Sequence, residues 1–166
     1  MRNSLLPLAA LLLVASPANA VREGRPAPKP PVEDIWVPAA TPKGGVSWKT
    51  LESTKVIDRK DPKTLIIYSK PGFPAAVKAL GGKTIKISGY MTPLQNSAKQ
   101  THFVLLGYPP GCPFHMHAMP NQFVEVKSAV PFKVQTDNPT IVSGTLQLMG
   151  TDESGIFYRL VNARPG

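Results

Sequence analysis

Residues 111–120 read GCPFHMHAMP and hold the chain's only cysteine, Cys112, two of its three histidines, His115 and His117, and two of its five methionines, Met116 and Met119. Thiolate and imidazole are good ligands for zinc and copper, and thioether sulfur favours copper(I). Cys112 and His115 stand in a C-x2-H spacing. His115 and His117 form an H-x-H pair, which in extended backbone points both rings to one side. His102, ten residues before Cys112, could supply a further donor and complete a tetrahedral set of Cys112, His115, His117 and His102. Three protein ligands with an open position is the other arrangement these residues allow. Met119 is the softer candidate, suited to copper. The expected cofactor is therefore zinc or copper.

Each residue type also has a plainer use. Cysteine is often a small buried hydrophobe, a histidine in an apolar run is often a hydrogen-bonded structural residue, and methionine packs under loops. The spacing Cys112, His115, Met119 resembles the ligand loop of blue-copper cupredoxins. However, 47 residues follow Met119, with two expected strands among them, whereas the cupredoxin loop lies near the end of its domain. Cysteine catalysis would need a base, and His115 or His117 could serve. No residue that would orient such a base is identifiable, and there is no C-x-x-C and no clearly spaced carboxylate pair. No catalytic residue is assigned, and an enzyme is not the expectation.

The elements that must position this loop follow from pattern. It lies over residues 109–120, stiffened by Pro109, Pro110, Pro113 and Pro120, which fix φ and withhold backbone donors. It joins HFVLLGY (102–108), a continuous apolar run expected as a central strand, to NQFVEVKS (121–128), a second strand. Asn121 and Gln122 could orient a histidine or hydrogen-bond loop backbone. KTIKISGY (83–90) alternates as a half-buried strand. In the GYMTPL that follows, Gly89 is expected to end the strand at a close approach, Pro93 to stop pairing, and Tyr90 and Met91 to stand at a barrel mouth. TIVSGTLQLM (140–149) carries Gly144 where a bulge is expected, and GIFYRLVNA (155–163) is the last strand. TLIIYS (64–69) is a further short strand candidate. VSWKTLEST reads as a short helix or turn led by Ser47, with Trp48 and Leu51 on one face, and FPAAVKALGGK as a helical stretch from Pro74 stopped by Gly81 and Gly82.

Five strands with internal glycines and one short helix point to an all-β domain over residues 48–166. A small curled sheet or OB-like barrel is the expected form, with a β-sandwich as the alternative. The clear helical signal precedes the first clear strand, whereas a standard OB fold has its helix between the third and fourth strands.

Residues 1–20, MRNSLLPLAALLLVASPANA, read as a secretory signal peptide: Arg2, an apolar core from Leu5 to Val14, and a small-x-small ending at Ala20. The apolar run is short of the roughly 20 residues a membrane span needs. Residues 21–47 read as a Pro/Gly-rich flexible segment, which Trp36 could pin to the domain. The expected location is periplasmic or secreted, with no membrane span once the leader is cleaved. A lone cysteine there cannot form an intramolecular disulfide: it stays free, binds metal, or pairs with another chain.

The formal charge is +9, and +8 without Arg2, the only charge in residues 1–20. A basic exported protein can meet anionic lipid headgroups, polyanionic envelope polymers or acidic proteins. Nucleic acid is not an expected partner, since no basic motif with interleaved aromatics appears. The cations are scattered (Lys55, Arg59, Lys60, Lys78, Lys83, Lys86, Lys99), as on a solvated surface.

The order of Trp48-x-x-Leu51, LGGKTIKISGYMTPL, an apolar strand, a cysteine loop closing on PNQFVEV, then SGTLQL and a final tyrosine-bearing strand resembles the exported bacterial domain-of-unknown-function family 3299, over residues 48 to about 162. GYMTPL and the span from Cys112 to Pro120-Asn121-Gln122 carry the resemblance. This chain has Phe114 where some members would have a histidine, and places its own at 115 and 117. The resemblance implies an exported β domain connected with metal handling. Three readings follow: a metal-binding accessory protein acting as carrier or sensor, an envelope interaction module with a rigid proline-rich docking loop, and a thiol protein forming a mixed disulfide through Cys112.

Overall fold

The computed structural model describes residues 37–111, 118–150 and 154–166. The expected signal peptide, most of the proline-rich segment with Trp36, and Cys112, His115, Met116 and His117 lie outside the described residues.

The elements run α1 (Trp48–Glu52), β1 (Lys55–Lys60), β2 (Ile67–Gly72), α2 (Ala75–Lys78), β3 (Thr84–Pro93), β4 (Lys99–Leu106), β5 (Phe123–Lys133), β6 (Thr140–Leu148) and β7 (Tyr158–Pro165). Ser47 caps α1, its side chain accepting from the Thr50 amide. Trp48 and Leu51 then share the buried face. α2 starts after Pro74 and ends before Gly81. There are thus two short helices where one was counted.

Strands β3-β4-β5-β7-β6 close into a barrel, and β1-β2 form a separate two-stranded sheet. The β5–β7 pair is parallel. The other barrel pairs are antiparallel. This is an OB-like barrel, and its closure rules out the β-sandwich alternative. No helix stands between β5 and β6, the third and fourth barrel strands; residues 134–139 bridge them directly.

Period-two alternation builds the interior. Ile85, Ile87 and Met91 of β3, Phe103 and Leu105 of β4, and Val124 and Val126 of β5 point into one core that also takes Trp48, Leu51 and Val77 from the helices. Each such side chain contributes about 1.5–3 kcal/mol of burial. β4 reads as continuously apolar because Val104 and Leu106, on its other face, are covered as well.

Three details differ from the sequence reading. Gly89 does not end its strand. β3 runs on to Pro93 and changes partner there, Gly89 pairing with Thr140 of β6 and Tyr90 with Leu106 of β4. The close approach is real, since a Cβ on Gly89 would lie 2.6 Å from the Leu106 carbonyl oxygen. Met91, expected at a barrel mouth, is fully buried, because the continued strand turns it inward. The third detail is β1: KVIDRK is charged at four of six positions and shows no apolar period, so it forms a strand only by pairing with β2. Gly144 does mark a bulge, the β6–β7 register shifting between Ser143 and Thr145.

Residues before Trp48 also pack onto the barrel. Ala39 is buried and its amide donates to the Gly107 carbonyl, and the Val46 amide donates to Lys86. Among the described residues no helix is long and apolar enough to cross a membrane.

Candidate functional site

The cysteine loop leaves β4 after Leu106 and enters β5 at Phe123, and these two residues are paired across the ladder. Its stem is closed one step further on, where the Gly107 amide donates to the Gln122 carbonyl at 2.9 Å. At the outgoing end the Gln122 amide donates to the Met119 carbonyl at 2.8 Å, and the Met119 amide returns a bond to Gln122 Oε1 at 3.1 Å. Asn121 Nδ2 donates to the carbonyls of Glu52 and Thr54, at 3.0 and 3.1 Å, and Gln122 Nε2 donates to Glu52 Oε1 at 3.3 Å. The PNQ sequence therefore straps the loop to the C-terminal end of α1. Of the two roles open to Asn121 and Gln122, these bonds are to backbone and to Glu52.

The α1 platform is itself fixed from below. Trp48 Nε1 donates to the Ser88 carbonyl at 2.7 Å. The Tyr158 hydroxyl donates to the Leu51 carbonyl at 2.7 Å and pairs with the Thr54 hydroxyl at 2.6 Å. Burial pushes the Tyr158 phenol up to about 12, so it stays a donor throughout the neutral range. Tyr108, at the loop's incoming end, is raised to about 12 by burial and by the Glu52 carboxylate beside it.

Met119 is half exposed, with its backbone held by Gln122, so its thioether is presented at the loop's exit. His102 stands elsewhere. It pairs with Lys127, four residue pairs along the β4–β5 ladder from Leu106 and Phe123, about 13 Å at the usual strand rise. Its Nε2 is bonded to Glu125 Oε1 at 2.8 Å, and Arg159 Nε donates to the other carboxylate oxygen of Glu125. His102, Glu125 and Arg159 lie on the outer face of adjacent strands β4, β5 and β7. Glu125 is buried, which pushes its carboxyl up, but the hydrogen bonds from Arg159 and His102 outweigh that and hold it below its usual range. A carboxylate so paired is a structural anchor. The sequence reading missed Glu125 and Arg159 as partners of His102, although FVEVK and FYRL both place them opposite the apolar phase of their strands. Among the described residues no three His, Cys, Asp or Glu side chains gather as a metal-binding group.

The profile of the protein-of-unknown-function family DUF3299 matches residues 46–159. The chain belongs to the DUF3299 family. A DUF3299 family protein from Pseudomonas aeruginosa of known crystal structure is 32% identical, the match covering 58% of this chain and 69% of that one with a TM-score of 0.43. No curated protein matches the chain. For this DUF3299 member the family match spans α1, barrel strands β3 to β6, the first two residues of β7 and the whole cysteine loop, so the parts that clamp the loop fall within the family's extent.

Proposed function

We propose that this protein is an exported β-barrel that binds a transition metal, zinc or copper, through Cys112, His115 and His117, and acts as a metal carrier or sensor in the periplasm or outside the cell. The observation that carries this reading is the double fastening of the loop: the Gly107–Gln122 bond closes its stem, and Asn121 ties its exit to α1. Ligands on a loop whose ends are already placed lose less chain entropy when a metal gathers them. The proline content of 109–120 adds to that effect. The donor chemistry suits the metals, since one thiolate and two imidazoles make a good zinc or copper set, and the half-exposed Met119 thioether could join as a soft fourth donor to copper(I). His102 has its Nε2 bonded to Glu125, which leaves Nδ1 as the ring nitrogen it could offer a metal. The leader-like residues 1–20 support export.

Elemental analysis of the untagged protein beside its Cys112→Ala form tests the reading. Near-stoichiometric zinc or copper, lost in the variant, is expected. A Cys112→Ala/His115→Ala protein that holds metal as well as the parent would sink it. A second reading, a non-catalytic envelope module docking through the proline-rich loop, is favoured by the exposed Met119 beside Pro120. Metal absent from both forms, with Cys112 freely alkylated, would put that reading first.

A further inference from the structure

The β1–β2 hairpin stands outside the barrel and carries a concentration of exposed aliphatic side chains. Leu65, Ile66 and Ile67 are 64%, 51% and 61% exposed, and Ile57 is 55% exposed. Near its base Val56 packs against the core, while the strands continue outward as a two-stranded ribbon. Isolated exposed aliphatics are ordinary on a protein surface, but three in succession at the end of a projecting ribbon are not.

The tip is a built structure. The Asp61 amide donates to the Ile66 carbonyl and the Leu65 amide to the Asp61 carbonyl, both at 2.9 Å. Asp61 Oδ1 accepts from the amides of Lys63 and Thr64. Those amides hold the Asp61 carboxyl below its usual range. Leu65 closes the turn at φ 59°, in the left-handed region that glycine or asparagine would occupy without strain. The fold gains no burial in return, since Leu65 is the most exposed large hydrophobic residue among those described. Strain of this kind, maintained to hold an apolar group in solvent, marks a group meant for something outside the chain.

The charge around the tip says what that is. Lys60 lies opposite Ile67, and Lys70 opposite Ile57. Lys63 is in the turn itself, and the Arg59 guanidinium sits 5.6 Å from the centre of the Tyr68 ring. Residues 55–72 hold five cations (Lys55, Arg59, Lys60, Lys63, Lys70) against Asp58 and Asp61. Asp58 is engaged with Ser69 and Asp61 with the turn amides. Long cationic side chains beside an aliphatic point, with a tyrosine below it, match the layered chemistry of a bilayer surface: acyl chains, then phosphates, then the interfacial zone that aromatic rings favour. A second copy of this chain fits poorly, because two such tips would set lysines against lysines. The point is also small beside the roughly 800 Å² per partner of a stable protein interface.

We propose that the β1–β2 hairpin is a membrane-surface contact. Leu65, Ile66 and Ile67 enter the outer acyl region of an anionic bilayer while Lys60, Lys63 and Lys70 engage its phosphates. This does not depend on what the cysteine loop binds.

Co-sedimentation with vesicles of 3:1 phosphatidylcholine and phosphatidylglycerol, beside pure phosphatidylcholine vesicles, tests the proposal. Wild-type protein is expected to partition onto the anionic vesicles and to leave them as salt rises. Leu65→Gly relieves the turn and should keep or raise the thermal midpoint while lowering partition about tenfold, the scale of one buried leucine. Lys60→Glu/Lys63→Glu should abolish partition with the fold intact. Wild type and variants share every other residue, so their differences report the hairpin alone. The proposal is overturned if wild type ignores anionic vesicles at low salt, or if Leu65→Gly and Lys60→Glu/Lys63→Glu partition as wild type does. A self-association that Leu65→Gly removes, without vesicle binding, would equally overturn it and make the tip a protein contact.

Discussion

Asn121 Nδ2 lies 3.1 Å from the carbonyl oxygen of Thr54, a residue 67 positions earlier, and 3.0 Å from that of Glu52. One side-chain amide thus satisfies two carbonyls, that of the last residue of a five-residue helix and that of the second residue beyond it, and holds the exit of the cysteine loop against the helix. Short helices leave their last carbonyls without intrahelical partners, so an outside donor is needed there.

Replacing Asn121 with alanine removes both bonds and leaves the carbonyls to water or unpaired. A loss of about 1–2 kcal/mol is expected in denaturant unfolding, without a change in slope. If the loop holds metal as proposed, the same variant should bind zinc more weakly while keeping its stoichiometry. Unchanged affinity on titration would show that the strap does not preorganise the ligands.

Tyr158→Phe should destabilise by a similar about 1–2 kcal/mol, since the hydroxyl bonds to Leu51 and Thr54 in the interior. It should also change the alkaline limb. The phenol is raised from 10.0 to about 12 in the folded chain, so the unfolded chain releases its proton first. Stability from this group is complete below pH 10 and is lost as pH rises toward 12. Unfolding midpoints across that range should fall less steeply in the variant than in the parent.

Glu125 works in the opposite direction. Its carboxyl is held below the ordinary 4.5, so its contribution is present above that pH and is lost as the folded form takes up a proton in more acid solution. Glu125→Gln should cost about 1–3 kcal/mol at neutral pH, because Arg159 loses its carboxylate, and should flatten the acid limb. Equal acid sensitivity in parent and variant would assign acid unfolding to other groups.

Gly107→Ala probes the contact between loop stem and helix. A Cβ there would sit 2.8 Å from Trp48 Cδ2, and the ring cannot yield without breaking its bond to the Ser88 carbonyl. A loss of about 1–3 kcal/mol is expected, with a red shift of indole emission as Trp48 is displaced. Emission that stays at the parent wavelength would place the strain elsewhere.

Much of the barrel is legible residue by residue. The alternation of Ile85 and Ile87 shows which face of β3 is inside, and Gly144 announces the β6 bulge, because both depend on local period and steric bulk. Ser47, Trp48 and Leu51 similarly specify a capped helical turn with one apolar face. β1 was not legible, since four charged positions in six leave no period to read and only the partner strand supplies its hydrogen bonds. Met91 was misplaced because nothing local tells whether a strand stops at a glycine or passes through it to a new partner.

By itself the sequence determined the chemistry available to this protein: one thiol, three imidazoles, a proline-stiffened loop, a leader-like start and a strongly basic balance. It also determined the all-β class, through side-chain periods that no long-range contact need enforce. The tertiary structure decided which groups meet. Cross-strand register gave His102 to Glu125, 23 residues away, and Asn121 to the end of α1. It left Leu65 and its neighbours on a ribbon that the barrel does not cover. Such pairings depend on barrel closure and strand stagger, which are set by packing the whole core at once and so are written in no single stretch of residues.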